Sequence, residues 1–169
     1  KDLFSAVVDK QSQELKTQAP IGVYWLLNGP CNLKCIHCYG NVEEFPRESL
    51  SESDQMIVAQ RIIDSGAMRV TLAGGEPLLR KDTPLIIEKL VEHNISVVLG
   101  TNGTYLTNEM MPTIKKTSLV EISLDSHDEF INNKIRLSRT ASGNAFKETL
   151  KAIDLCVANQ VKLKILTSL

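Results

Sequence analysis

The stretch Met68-Arg69-Val70-Thr71-Leu72-Ala73-Gly74-Gly75-Glu76-Pro77 decides the fold of this 169-residue chain. Met68–Leu72 has the β-rich, mostly apolar character of a buried strand, and it runs straight into two glycines, an acid and a proline. Without side chains, Gly74 and Gly75 let backbone groups approach a ligand closely and tolerate unusual dihedrals. Pro77 stiffens the turn and pushes Glu76 toward an extended conformation. A carboxylate and exposed carbonyls at that place suit a ligand ammonium group. Taken alone, the same four residues also fit a plain strand-to-helix turn.

Four further runs share the strand character: Val23–Leu27, Ile95–Leu99, Leu119–Leu124 and Val161–Thr167. Several are continuous apolar stretches, which predicts strands covered on both faces. Helical segments with recognisable ends lie between them. Ser51 or Ser53 caps a helix that runs to Ser65 and stops at Gly66. Asp82 or Thr83, followed by Pro84, opens a second helix that closes at Asn94. Thr107 or Asn108 opens a short third one, provided Pro112 falls in its first turn. Phe146, Leu150, Ile153 and Val157 recur at four, three and four residues and predict a fourth helix with that stripe toward the core. Strand and helix alternating through short links is the signature of an α/β fold of parallel strands joined by right-handed crossovers.

The unusual residues all fall where strands end. The first strand leads into Gly29-Pro30-Cys31-Asn32-Leu33-Lys34-Cys35-Ile36-His37-Cys38-Tyr39-Gly40, the second into Gly74–Pro77, the third into Thr101-Asn102-Gly103, and the fourth ends in Ser123-Leu124-Asp125-Ser126. Parallel α/β sheets bind ligands at the carboxyl ends of their strands, so four such loops predict one active-site rim. Cys31, Cys35 and Cys38 place three thiols on one loop with no fourth cysteine nearby. A closed metal site takes four protein ligands, whereas three leave a metal position open for chemistry.

The spacing Cys31-x3-Cys35-x2-Cys38, followed one strand later by Gly-Gly-Glu-Pro, resembles the radical S-adenosylmethionine superfamily. The wider string through Tyr39-Gly40, with Thr-Asn-Gly and Ser-Leu-Asp downstream, is similar to the subgroup carrying a C-terminal SPASM or twitch extension. The resemblance implies a partial (β/α) TIM-like barrel occupying residues 21–169 after an N-terminal extension at 1–20, ending here after about the fifth strand. It implies that Cys31, Cys35 and Cys38 ligate a [4Fe–4S] cluster whose fourth iron is chelated by S-adenosylmethionine. In the same terms Gly74, Gly75 and Glu76 hold the ligand's ammonium end. Ser123 and Arg136, with Arg139 as second choice, meet its carboxylate and ribose. His37, Tyr39, Ile165 and Leu166 lie at the adenine, and Asn102 touches ligand or substrate. The implied reaction is one-electron cleavage of the sulfonium, giving methionine and a 5′-deoxyadenosyl radical that abstracts a substrate hydrogen. The electron comes from an external low-potential donor of flavodoxin or ferredoxin type. The subgroup points to a peptide or protein substrate; Ser126, where many peptide-modifying relatives have glycine, keeps enzymes of tetrapyrrole or pterin precursors in play.

Two rivals use the same cysteines: a structural zinc site completed by His37 or His93, and a simple electron-transfer module. The first strains the loop around His37, and the second leaves Gly74–Pro77 without a purpose. Cys156, inside the fourth helix, reads as a small packed residue. Asp125 reads equally as a functional acid or a loop cap. A net charge of −1 argues against a nucleic-acid surface, and no apolar run is long enough to span a bilayer. Four cysteines without a secretion signal point to a reducing, cytoplasmic setting. A fifth strand with no covering helix after it, and a first residue other than Met, predict a piece of a longer protein.

Overall fold

A computed structural model describes residues 19–38 and 50–168. Among the described residues the first elements are β1 (Gly22–Leu26) and β2 (Leu33–Cys35), then α1 (Glu52–Asp64), β3 (Arg69–Ala73), α2 (Thr83–Glu92) and β4 (Ser96–Thr101). The chain continues through α3 (Met111–Ile114), β5 (Leu119–Ser123), α4 (Glu129–Ile135), β6 (Arg136–Ser138), α5 (Ala145–Ala158) and β7 (Leu163–Leu166). Strands β1, β3, β4, β5 and β7 form one sheet in that order, every neighbouring pair parallel. Chain order and spatial order therefore agree, as expected for successive strand–helix–strand crossovers. Among the described residues the sheet stays open at β1 and β7. It is a partial barrel.

The helix ends follow local chemistry. Ser51 Oγ accepts from the Asp54 amide at 3.1 Å and caps α1, and Gly66 leaves that helix with φ of 73°. Pro84 and Pro112 both sit in the first turns of α2 and α3, where a missing amide proton costs nothing. One face of the sheet carries the core. Val70, Leu72, Leu99, Val120 and Ile122 are wholly buried against Ile86, Ile87 and Leu90 of α2 and Ala59 of α1. Burying each of the larger side chains contributes about 1.5–3 kcal/mol.

Two expectations needed correction, and one pairing was not anticipated. β4 is buried on both faces, through Val97, Val98 and Leu99, but elsewhere Thr71, Glu121 and Ser123 alternate with the core residues and remain partly exposed, and Tyr24 is exposed. Sequence periodicity places α5 correctly but turns it the wrong way. Its buried residues are Ala145, Thr149, Ala152 and Cys156, whereas Leu150 and Val157 are exposed. Small side chains let the helix lie close to the loop after β4; a Cβ added to Gly103 would sit 3.1 Å from that of Ala152. Ile153 and Leu155 still flank the core. Finally, β2 and β6 pair as a separate antiparallel ribbon with Cys35 opposite Arg136. At three residues each, they are too short to register as hydrophobic runs. The expected N-terminal extension lies, up to residue 18, outside the described residues.

Candidate active site

The face of the sheet left uncovered by helices opens into a cavity of about 680 Å³, within the roughly 300–1,000 Å³ range of small-molecule sites. Its wall brings together Cys31, Cys35, Cys38, His37, Gly74, Gly75, Asn102, Ser123, Arg136, Arg139 and Leu166. Two expected residues are not in that wall. Ile165 belongs to the helix side of β7, in register with buried Ile122, because strand residues alternate and Leu166 takes the cavity side. Glu76 lies behind the wall. Tyr39 falls outside the described residues.

The glycine pair is required by a close approach of two protein loops. Beyond the paired strands, Leu27 N–H donates to Ala73 O (2.9 Å), Gly75 N–H to Asn28 O (2.8 Å) and Glu76 N–H to Pro30 O (2.9 Å). A Cβ on Gly75 would lie 2.1 Å from Pro30 O, and one on Gly74 would lie 2.5 Å from Asn28 O. Gly74 also has φ of 137°, which L side chains rarely adopt. The turn after β3 is thus moulded onto residues 28–30, the segment that delivers Cys31.

Glu76 ties this turn to the next. Its side chain is fully buried; Oε1 accepts from Leu78 N (3.0 Å) and Thr101 Oγ1 (2.6 Å), and Oε2 from Asn102 N (2.8 Å). Burial raises its pKa above the ordinary range, against the pull of those three donors. Sequence reasoning missed Thr101 as the donor that engages Glu76. It also missed Thr149, whose hydroxyl donates to Asn102 O at 2.8 Å from α5, and the cavity residues Tyr24 and Glu121. The polar positions Glu121 and Ser123, alternating with apolar ones in β5, were the available signal.

The sulfurs receive donors. Cys31 Sγ accepts from Leu33 N (3.4 Å) and Asn102 Nδ2 (3.7 Å), and Cys35 Sγ from Arg136 Nη1 (3.7 Å). Burial pushes the Cys31 thiol up to about 11 and raises that of Cys35, the latter against the opposing charge of Arg136. Both are therefore thiols at neutral pH until a cation stabilises the thiolate. Arg136 Nε lies 2.6 Å from Asp125 Oδ2, an ionic contact whose geometry falls short of a formed hydrogen bond. His37 Nε2 approaches the same oxygen at 3.6 Å. Among the described residues no three Cys, His, Asp or Glu side chains already converge at metal-binding separation. The donor set nevertheless fits an iron–sulfur group: soft ligands on one short loop, two of them supplied with N–H donors, beside an open cavity. It does not fit the zinc rival as well, since His37 is turned toward Asp125 and His93 bonds its ring to Lys89 O near the end of α2. Cys156 is buried in α5, away from this wall.

Among the described residues no helix is long and apolar enough to cross a membrane. The Radical SAM superfamily model matches residues 28–169. The chain is 31% identical over 151 residues to the Fe-coproporphyrin III synthase of Methanosarcina barkeri, covering 88% of this chain and 36% of that protein. It is 34% identical over 144 residues to the GTP 3′,8-cyclase of Helicobacter pylori, covering 81% and 43%. Its fold is similar to that of anSMEcpe solved with bound AdoMet and the Cp18Cys peptide (TM-score 0.71, 22% identity, 86% of this chain and 42% of that one). The chain thus spans less than half the length of the curated relatives it matches. The family's members are enzymes that use a [4Fe–4S] cluster and S-adenosylmethionine, and their relatives here work in cofactor biosynthesis and peptide maturation. By the match over residues 28–169 and the architecture that carries it, this chain belongs to the radical SAM superfamily.

Proposed function

We propose that this chain is the cluster- and S-adenosylmethionine-binding part of a radical enzyme that abstracts a hydrogen atom in the modification of a peptide or protein. The observation that carries the reading is the shared wall: three cysteines, the Gly74-Gly75 turn, Ser123 and Arg136 border one cavity at the carboxyl ends of parallel strands. Cys31, Cys35 and Cys38 would hold the cluster. When bound, it supplies the electron that cleaves S-adenosylmethionine to methionine and a 5′-deoxyadenosyl radical. The protein's own part is positional. Asn102 and Leu33 donate to the Cys31 sulfur, and the turn at Gly74-Gly75 offers backbone groups to the ligand's ammonium end. Ser123 and Arg136, with Arg139 as the second choice, would meet its carboxylate and ribose; all three border the cavity. An external low-potential donor of flavodoxin or ferredoxin type would supply electrons.

A second substrate reading has its own support. The relatives above 30% identity include a coproporphyrin synthase and a GTP cyclase, which favours a tetrapyrrole or pterin precursor. The deciding experiment uses the full-length protein, reconstituted anaerobically with iron and sulfide. Under strong reductant it should release 5′-deoxyadenosine from S-adenosylmethionine, with Cys35→Ala abolishing both iron and product. A cluster-loaded sample that releases none overturns the proposal. Stimulation by a peptide, a porphyrin or a purine nucleotide separates the substrate readings.

A further inference from the structure

The β2/β6 ribbon has no part in the sheet, yet it sits across the cysteine loop. Ile36 N–H donates to Ile135 O at 3.0 Å on one side of the ribbon, and Arg139 N–H to Asn32 O at 2.9 Å on the other. Between them Cys35 is registered directly opposite Arg136. The backbone thus fixes which cysteine the arginine faces, independently of side-chain choice. Arg136 Nη1 reaches Cys35 Sγ at 3.7 Å, an ordinary length for a hydrogen bond to sulfur.

The guanidinium is held from behind. Its side chain is 9% exposed, and Nε packs 2.6 Å from Asp125 Oδ2, whose own side chain is fully buried. Asp125 is anchored in turn: its Oδ1 accepts from Ser168 N (2.9 Å), and its amide donates to Asn132 Oδ1 (3.1 Å). The carboxylate therefore orients the arginine from the end of β5, while the ribbon presents the sulfur. An N–H donor this well shielded from water interacts strongly with a neighbouring anionic centre, and the paired Asp125 carboxylate offsets part of the cation's charge while it fixes the donor's direction.

Resting on the reading that Cys35 is a cluster ligand, we infer that Arg136 tunes the electron affinity of that cluster through the Cys35 sulfur, with Asp125 as its positioning residue. Hydrogen bonds and positive charge at a ligand sulfur favour the reduced, more negative cluster and raise its potential. This role is separate from contact with a ligand carboxylate, because it operates when no S-adenosylmethionine is bound.

The test is a redox titration of iron-reconstituted full-length protein, followed by electron paramagnetic resonance without S-adenosylmethionine. Arg136→Gln should lower the midpoint potential, and Arg136→Lys should lower it less, at unchanged iron content. A midpoint that stays put or rises in an iron-replete variant overturns the inference. A second measurement needs no variant at Arg136: with ¹⁵N-arginine incorporated, the reduced wild-type cluster should show a weak ¹⁵N hyperfine coupling that persists in Arg139→Lys. Its absence, or its loss in Arg139→Lys, equally overturns it. Wild-type protein that takes up no iron refutes the cluster assignment instead, so the two failures are distinguishable.

Discussion

Substituting Gly75 by alanine separates two reasons for a glycine at this turn. If the residue were needed only to let a ligand approach, the ligand-free protein would not notice the change. The geometry says otherwise. The new Cβ would meet Pro30 O at 2.1 Å and Gly29 O at 2.4 Å, both backbone atoms, and must retreat to about 3.4 Å. That retreat of more than an ångström strains or breaks the Gly75 N–H to Asn28 O and Glu76 N–H to Pro30 O bonds. Two lost backbone hydrogen bonds cost about 1 kcal/mol each, and overpacking adds about 1–3 kcal/mol. Taking about 3 kcal/mol as the local loss, the opening equilibrium rises roughly a hundredfold. Hydrogen–deuterium exchange of cluster-free protein reads this directly. Peptides spanning 27–33 and 70–79 should exchange roughly a hundredfold faster in Gly75→Ala, while those of α2 stay unchanged. Wild-type protection in both peptides, together with weakened S-adenosylmethionine binding, would refute the loop-docking argument and restore the ligand-approach reading.

Burial raises the pKa of Glu76 above its ordinary 4.5, so its contribution to stability is present below that value and lost as pH rises through the raised one. Denaturant unfolding at a series of pH values should therefore show wild type losing ground to Glu76→Gln as pH climbs from 4.5; a widening advantage for wild type contradicts the direction. Cys156→Ser places a hydroxyl in a fully buried site on α5, which should cost about 1–3 kcal/mol of stability and leave iron per chain unchanged. A fall in bound iron would make Cys156 a ligand and overturn its packing role.

Much of the site could be read from the chain because chemistry and topology coincide there. Residues that follow apolar runs in a parallel α/β chain must gather at one end of the sheet, so Cys31, Gly74, Asn102 and Ser123 could be placed on a common rim without coordinates. Glu76 shows the limit of that reasoning. Its position after β3 was legible, but its partners Thr101 and Asn102 come from β4 and the loop beyond it. No local pattern says whether a carboxylate points to a ligand or to its neighbours' amides.

By itself, and leaving the short β2, β6 and α4 unread, the sequence determined the five strands of the main sheet, four of the helices, their parallel order and the cysteine loop proposed to hold the cluster. These rest on local periodicity, capping and short-range spacing, all of which are written in consecutive residues. Only the tertiary structure decided which face of α5 is buried, because two interleaved stripes had the same spacing and close approach selected the smaller side chains. It alone also set Cys35 opposite Arg136, about a hundred residues apart in the chain, and showed that Gly74 and Gly75 make room for Asn28–Pro30. Contacts of that separation are fixed by how whole elements pack, and packing is not a property of any one stretch of chain.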